Sequence, residues 1–281
     1  MTNKKKLYVA SCSFGKDSLA MLLKLIELGK RVDLVVFFDT GMEFGAIYNL
    51  RDKVVAMLNK LNIKYVELRA ETPFWIQMLI KEVNPGKENA HFGYSWCGGM
   101  CRWGTSDKVR ICQKYYSDNY SDYEIYEYIG IAADEPKRVK DDEHKLYPLI
   151  DLNMTEADCL AYCRSRGFNW IEEGVDLYDI LDRVSCWCCC NKNLKELKNI
   201  YLYLPKYWGY LKGLQSRIDI PFRRCGKERT IFELEERFKK EIEEEARQKA
   251  ANKAKEVRTQ VITKVEKVIH AEYTQLTFDF I

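Results

Sequence analysis

The stretch that most narrows what this chain can fold into is Leu7 to Gly29, LYVASCSFGKDSLAMLLKLIELG. Leu7 to Ala10 predicts a buried strand and Ser11 to Lys16 a loop of small residues. A helix is expected to open near Asp17-Ser18, with Leu19, Leu22, Leu23, Ile26 and Leu28 as its apolar face and Gly29 as its stop. A loop that feeds a helix N-terminus presents free backbone N–H groups and the positive end of the helix dipole, so it is an anion site. Ser13, Gly15, Lys16 and Ser18 add hydroxyls, a close backbone approach and one positive charge, and Ser11 and Phe14 complete the candidate nucleotide-binding set. The loop is not a Walker A motif, which places Ser or Thr directly after its lysine. Asp17 stands there instead, and a carboxylate repels phosphate unless a metal intervenes. The competing reading is an ordinary strand–turn–helix with a glycine in its turn.

With 281 residues the chain has room for one large α/β domain and an extension. The expected division is 1–226 and 227–281, where the composition turns to Glu, Lys, Arg and Ala. A net charge of +3 makes no strong global case for nucleic acid. The opening MTNKKK is followed by an apolar run too short for a secretory signal, and no stretch approaches the length of a membrane span. A cytoplasmic location without membrane contact is therefore expected. Eleven cysteines in such a chain argue for metal or redox chemistry over disulfides, and the odd number excludes full pairing.

Val32 to Asp39, VDLVVFFD, is a near-continuous apolar run that suits a parallel strand covered on both faces. In an open α/β sheet ligands sit beyond the carboxyl ends of the strands. Asp39, Thr40 and Gly41 are thereby placed beside the first loop, where Asp39 could take ribose hydroxyls or Mg²⁺, or simply cap the next helix. Ile47–Leu61 reads as a helix, Lys64–Leu68 as a third strand, Glu71–Lys81 as helical and Tyr123–Ala132 as another strand. Asn84 to Gly104 is long and irregular, rich in glycine, aromatics and cysteine, a pattern common to functional or mobile loops. Leu194–Leu214 recurs at helical spacing, with Pro205 starting a second helix. From Glu228 to about His270 one or two long polar helices are expected, docked, dimerising or partly free.

Four cysteines in five residues, Cys186, Cys188, Cys189 and Cys190, are not a core habit. Cys186 and Cys189 have the C-x-x-C spacing that lets two thiolates reach one metal, and Cys97 and Cys101 form a second pair. Four soft ligands suit a [4Fe–4S] cluster, zinc as the alternative, or remain reduced free thiols. Cys188 and Cys190 are alternates as ligands or persulfide carriers. Cys159, Cys163, Cys12, Cys112 and Cys225 read as ordinary thiols.

Six blocks in order carry a family resemblance. SFGKDS resembles the PP-loop of the ATP pyrophosphatases, in the phosphoadenylylsulfate (PAPS) reductase branch. DTGMEF, Arg102 to Lys108, Gly130 to Arg138, Tyr147 to Asp158 and Leu177 to Cys190 resemble later motifs of that branch. The resemblance implies an open, mainly parallel sheet with helices on both faces, adenine nucleotide alpha hydrolase-like, here with a C-terminal helical extension. It implies ATP and Mg²⁺, with cleavage between the α- and β-phosphates. Lys16, Asp17 and Asp39 are its implied catalytic residues, and Arg102, Lys108, Gly130, Asp134, Glu135 and Arg138 its implied phosphate or nucleotide ligands. Iron–sulfur members, the adenylylsulfate reductases and DNA phosphorothioation sulfurtransferases, split their cysteines in a comparable way. The departures are Gly104 for a cysteine, Ala132 for an arginine and Gly45-Ala46-Ile47 for Pro-Glu-Thr. The reductases' C-terminal Glu-Cys-Gly-Leu-His is also unmatched. The expectation is a sulfurtransferase or related modifying enzyme. A ligase or amidating enzyme with structural zinc, a sulfonucleotide reductase variant and a non-catalytic nucleotide-binding regulator are the alternatives. Arg217, Arg223, Arg224, Lys227 and Arg229 suggest a nucleic-acid substrate. A sulfur-donor protein and a homodimer are further expectations. Gln275 to Phe280 resembles a sliding-clamp docking peptide.

Overall fold

The computed structural model describes residues 4–96, 101–222 and 229–278, without the side chains of Arg102 and 268–278. Contacts divide the chain into two units, Met1–Glu228 and Arg229–Ile281.

The first unit opens with β1 (Lys5–Ser11), α1 (Lys16–Glu27), β2 (Leu34–Asp39), α2 (Gly45–Lys60), β3 (Lys64–Arg69) and α3 (Phe74–Leu79). A two-residue-per-strand hairpin follows, β4 (Glu82–Val83) with β5 (His91–Phe92), then a π-helical turn Arg102–Asp107 running into α4 (Lys108–Asn119). Next come β6 (Tyr123–Ile129), β7 (Lys145–Leu146), α5 (Pro148–Asp151), α6 (Glu156–Ser165), β8 (Ile171–Glu172), β9 (Val175–Asp176) and α7 (Leu177–Ile180). The unit closes with α8 (Leu194–Tyr203) and α9 (Pro205–Gln215), the second opened by Pro205 as expected. The expected third helix is shorter than Glu71–Lys81, because Pro73 fixes its start and the chain turns into β4 after Leu79.

The five-stranded sheet has the order β3-β2-β1-β6-β7, and all its pairings are parallel. Every residue of β2 is buried, as its uninterrupted apolar run requires of a strand covered on both faces. Inward residues of β1 and β2 (Leu7, Val9, Leu34, Val36, Phe38) pack against Cys112 and Tyr116 of α4. Right-handed crossovers put α1 and α2 on the opposite face, where α1 packs on α6. The chain steps from β1 outward to β3, then returns to the other side of β1 at β6. The strand order therefore reverses between β1 and β6, and ligand crevices in such sheets open at this point.

The second unit is described by α10 (Ile231–Phe278), one helix where one or two were expected. Thr230 and Glu233 form its cap: Thr230 Oγ1 accepts from Glu233 N at 3.2 Å and the Glu233 carboxylate accepts from Thr230 N at 2.7 Å. Ion pairs such as Lys239–Glu235 support its polar face, while Val257, Val261 and Val265 stay exposed at four-residue spacing. Among the described residues no helix is long and apolar enough to cross a membrane.

Candidate functional site

A polar cleft of about 160 Å³ lies where β1 and β6 end. Ser13, Gly15, Lys16, Asp17 and Ser18 line one side; Gly130, Glu135 and Arg138 come from the loop after β6. The loop is wound tightly. Ser18 Oγ accepts from Ser13 N at 3.1 Å and donates to the Gly15 carbonyl at 3.1 Å. Phe14 takes a left-handed φ of 60°, which turns its side chain into the core against Phe37 and its carbonyl toward the indole N–H of buried Trp170, 2.8 Å away. Phe14 thus contributes structure to the loop, with no place in the lining of the cleft. Helix α1 begins after extended Gly15 with no side-chain cap, leaving its N-terminal end to a ligand.

Gly130 has a specific steric task. A Cβ there would stand 2.8 Å from Ser18 Cα and 2.9 Å from Ser18 N. Only glycine lets the end of β6 press against the start of α1, and that contact closes the back of the cleft.

Lys16 is buried and paired twice, with Asp17 Oδ2 at 3.2 Å and with Glu156 Oε2. Burial disfavours its charge, but Glu156 and Asp17 outweigh that and hold its pKa above the ordinary lysine value. Asp17 goes up as well: burial dominates, Lys16 offsets it in part, and Glu156 and Glu135 add repulsion. Its second oxygen, Oδ1, is buried without a hydrogen-bond partner. An orphaned carboxylate oxygen beside Glu156 and Glu135 fits a divalent cation, which would supply that partner.

Three residues here escaped the sequence reading. Glu156 opens α6, held by its backbone N–H donating to Asp134 Oδ1 at 3.0 Å. Tyr178 accepts from the Lys16 backbone N–H at 2.8 Å. Arg183 lines the far wall. Glu156 sits beside the Thr155–Asp158 capping box that opens α6. Asp134 therefore acts through Glu156 and does not line the cleft.

Asp39 does not line it either. It is 2 % exposed, accepts from Gly41 N and Tyr48 Oη at 2.8 Å each, and pairs with Arg69 at 2.7 Å. Thr40 faces another way: its Oγ1 donates to Glu43 Oε1 at 2.9 Å and lies 3.3 Å from Cys186 Sγ. Cys186 Sγ also donates to Glu43 Oε1 at 3.5 Å, and Trp187 N donates to the Met42 carbonyl at 3.0 Å. The loop after β2 thus holds the cysteine turn. Burial, against the Thr40 and Cys186 bonds, pushes the Glu43 carboxyl up. Lys192, 2 % exposed, donates to Ser185 Oγ at 3.0 Å behind the same turn. Trp187 packs on Tyr207 and Tyr210 of α9, which covers the turn.

Of the second thiol pair, Cys101 caps the π-helical turn, its Sγ accepting from Gly104 N at 3.4 Å. Burial first, then the charges of Cys189, Cys101, Glu43 and Cys190, drive the Cys188 thiol well above the ordinary range. Cys97 and Cys225 lie outside the described residues, as do Arg223, Arg224, Lys227 and the side chains of Arg102 and of Gln275 to Phe280. Among the described residues no three His, Cys, Asp or Glu side chains are arranged to hold a metal ion. Thiolate donors suit iron or zinc in their chemistry, but the described residues do not bring Cys101, Cys186 and Cys189 together as ligands of one ion. Cys159, Cys163, Cys12 and Cys112 are buried, in keeping with the plain reading of them.

A second cleft of about 440 Å³ adjoins the first and shares Arg138 with it. Ser11, Ile129 and Ile131 form its floor, Cys112 and Tyr116 of α4 one wall, and Lys108 and Lys140 are basic residues beside it. Lys108 is thereby placed at this cleft and not among the phosphate-loop residues.

Residues 7–87 match the phosphoadenosine phosphosulfate reductase domain. An uncharacterized protein of Methanocaldococcus jannaschii is 28 % identical over 223 residues, 73 % of this chain and 40 % of that protein. The adenosine 5'-phosphosulfate reductase of Staphylococcus saprophyticus is 31 % identical over 108 residues, 34 % of this chain and 44 % of the enzyme. This chain thus spans less than half the length of the curated relatives it matches. The U34-tRNA thiolase NcsA from Methanococcus maripaludis, solved with its [4Fe-4S] cluster, superposes with a TM-score of 0.41 at 14 % identity. That match covers 80 % of this chain and 77 % of the thiolase, a likeness too distant to transfer substrate or cluster. With a domain match over residues 7–87 and a reductase relative beside the six ordered motif blocks, the chain is similar to the PAPS reductase-like family of PP-loop proteins.

Proposed function

We propose that this protein is an ATP-dependent adenylating enzyme, sulfurtransferase-like, that activates a nucleic-acid acceptor by transferring AMP to it and releasing pyrophosphate. The observation that carries the reading is the continuity of two centres along one segment. Arg183 and Val184 line the phosphate cleft, and Cys186 follows two residues later in the turn pinned to the loop after β2. An adenylated acceptor leaving the cleft would meet thiols at the neighbouring strand end.

In this reading the β- and γ-phosphates lie at the start of α1, beside the Lys16 N–H that Tyr178 holds, with the nucleoside in the larger, more apolar cleft across Arg138. Backbone N–H groups and Lys16 stabilise negative charge as it gathers on the leaving pyrophosphate. Glu156 and Asp17 hold Lys16 in place before the nucleotide arrives and yield it to phosphate afterwards. Mg²⁺, held through Asp17 with Glu156 or Glu135, would neutralise phosphate charge. No side chain need act as a nucleophile. A [4Fe–4S] cluster, or zinc, would be held by Cys97, Cys101, Cys186 and Cys189, with Cys188 and Cys190 as alternates, and would supply a site for binding or relaying sulfur. The transfer itself would replace AMP on the acceptor by a sulfur nucleophile from a separate donor.

Titration with Mg²⁺ and the non-hydrolysable analogue α,β-methylene-ATP tests the first step. Wild type is expected to bind, and Lys16→Ala to bind at least about tenfold more weakly. Equal binding by the two proteins would remove the phosphate site from this loop.

A further inference from the structure

A cavity of about 390 Å³ lies apart from both clefts, between the end of α3, strand β5 and the segment after α9. Its rigid edge is the stretch Gly93 to Ser95, bonded along α3: Gly93 N to the Lys81 carbonyl at 2.8 Å, Tyr94 N to Gln77 at 2.9 Å and Ser95 N to Met78 at 3.0 Å. Gly93 has a φ of +71°, and a Cβ there would stand 2.2 Å from the Met78 carbonyl oxygen. Ser95, not a glycine, is also left-handed at φ 56°. Non-glycine residues held in that region concentrate where a site is built.

The cavity is lined by polar as well as apolar groups. Ser95 is only 8 % exposed, it lines the cavity, and its hydroxyl has no hydrogen-bond partner. Burying a hydroxyl without a partner is costly, so the hydroxyl is set for a ligand. Met78 and Ile218 give flat apolar contact, and Arg217 and Asp219 stand at the same cavity, Arg217 anchored by Nη1 to the Gly213 carbonyl at 2.6 Å. Phe92 lines it too and is 74 % exposed, an aromatic side chain open to solvent.

We propose that this cavity takes one unstacked nucleobase of a single-stranded nucleic acid. The base stacks on Phe92, pairs an edge with Ser95 Oγ and Asp219, and leaves its phosphate to Arg217. An aliphatic side chain of a protein partner would fill the same walls but leave the Ser95 hydroxyl unpaired, which favours the base. The proposal rests on the reading of the acceptor as a nucleic acid, and not on the ATP chemistry.

The test uses the full chain with 5-bromouracil-bearing RNA and DNA strands of about 15 nucleotides. Wild type is expected to bind one of them and, on irradiation, to crosslink within the tryptic peptide 88–102, which carries Phe92 and Ser95. Phe92→Ala, at an exposed position, is expected to weaken binding about tenfold, as loss of one base–aromatic stack does. Ser95→Gly removes the hydroxyl and relieves the positive φ; it should weaken binding severalfold while thermal stability holds or rises. Both variants should bind α,β-methylene-ATP as wild type does. Strand binding by both variants within twofold of wild type, crosslinks only outside 88–102, or no binding of either strand would overturn the proposal. Failure to bind the ATP analogue would instead sink the adenylation reading and leave this one standing.

Discussion

Asp17 stands where a Walker A loop would carry a hydroxyl, and it is kept half-buried beside two other acids with one oxygen unpaired. Its pKa is raised, chiefly by burial, so the sign of its effect on folding follows. A carboxyl whose folded pKa exceeds its unfolded value favours the folded state only while protonated, and at neutral pH the ionised form destabilises it. Asp17→Asn should therefore raise the melting temperature of the ligand-free protein at pH 7, the difference narrowing as the pH falls into the ordinary carboxylate range. The same variant should lose Mg²⁺-dependent pyrophosphate release. Differential scanning fluorimetry across pH with a parallel product assay checks both; a lower melting temperature at pH 7 would contradict this account of Asp17. Cys12 makes a quieter prediction. Burial pushes its thiol up to about 11, so it should resist iodoacetamide in the folded protein at pH 8 and react once urea unfolds the chain.

Elements carry these residues to one place, and two substitutions test that carriage. Gly130→Ala would drive a methyl into the Ser18 backbone, where overpacking costs about 1–3 kcal/mol. It should lower stability and nucleotide affinity together. Thr155→Ala removes the capping box of α6, at a cost of about 1 kcal/mol. Because α6 presents Glu156 to Lys16, the loss should also reach the site, seen as weaker ATP-analogue binding; denaturant melts and titration separate the two effects. The elements themselves were legible because period and punctuation are local: β2 reads as a fully apolar run, and Pro205 announces α9. Glu156, Tyr178 and Arg183 were not legible as site residues. What brings them to the loop is the packing of α1 on α6 and the return of the chain after β9, and neither leaves a mark near SFGKDS. Asp39 misled for a related reason. Its position at a strand end was right, but Tyr48 and Arg69, supplied by α2 and β3, take up its oxygens.

On the scale of the whole molecule, every residue of both clefts belongs to the first unit. A chain shortened to residues 1–249 should therefore release pyrophosphate within about twofold of the full protein. The two clefts, sharing Arg138 at the reversal of strand order, form the centre of this reading, with the cysteine turn one strand end away. The most direct test is the identity of the products when ATP and Mg²⁺ are incubated with the anaerobically purified protein and a panel of tRNA and single-stranded DNA, followed by ³¹P NMR. The account predicts pyrophosphate and an adenylated acceptor, both abolished in Lys16→Ala, with free AMP appearing once a sulfur donor is added. ADP and inorganic phosphate, or pyrophosphate undiminished in that variant, would contradict it.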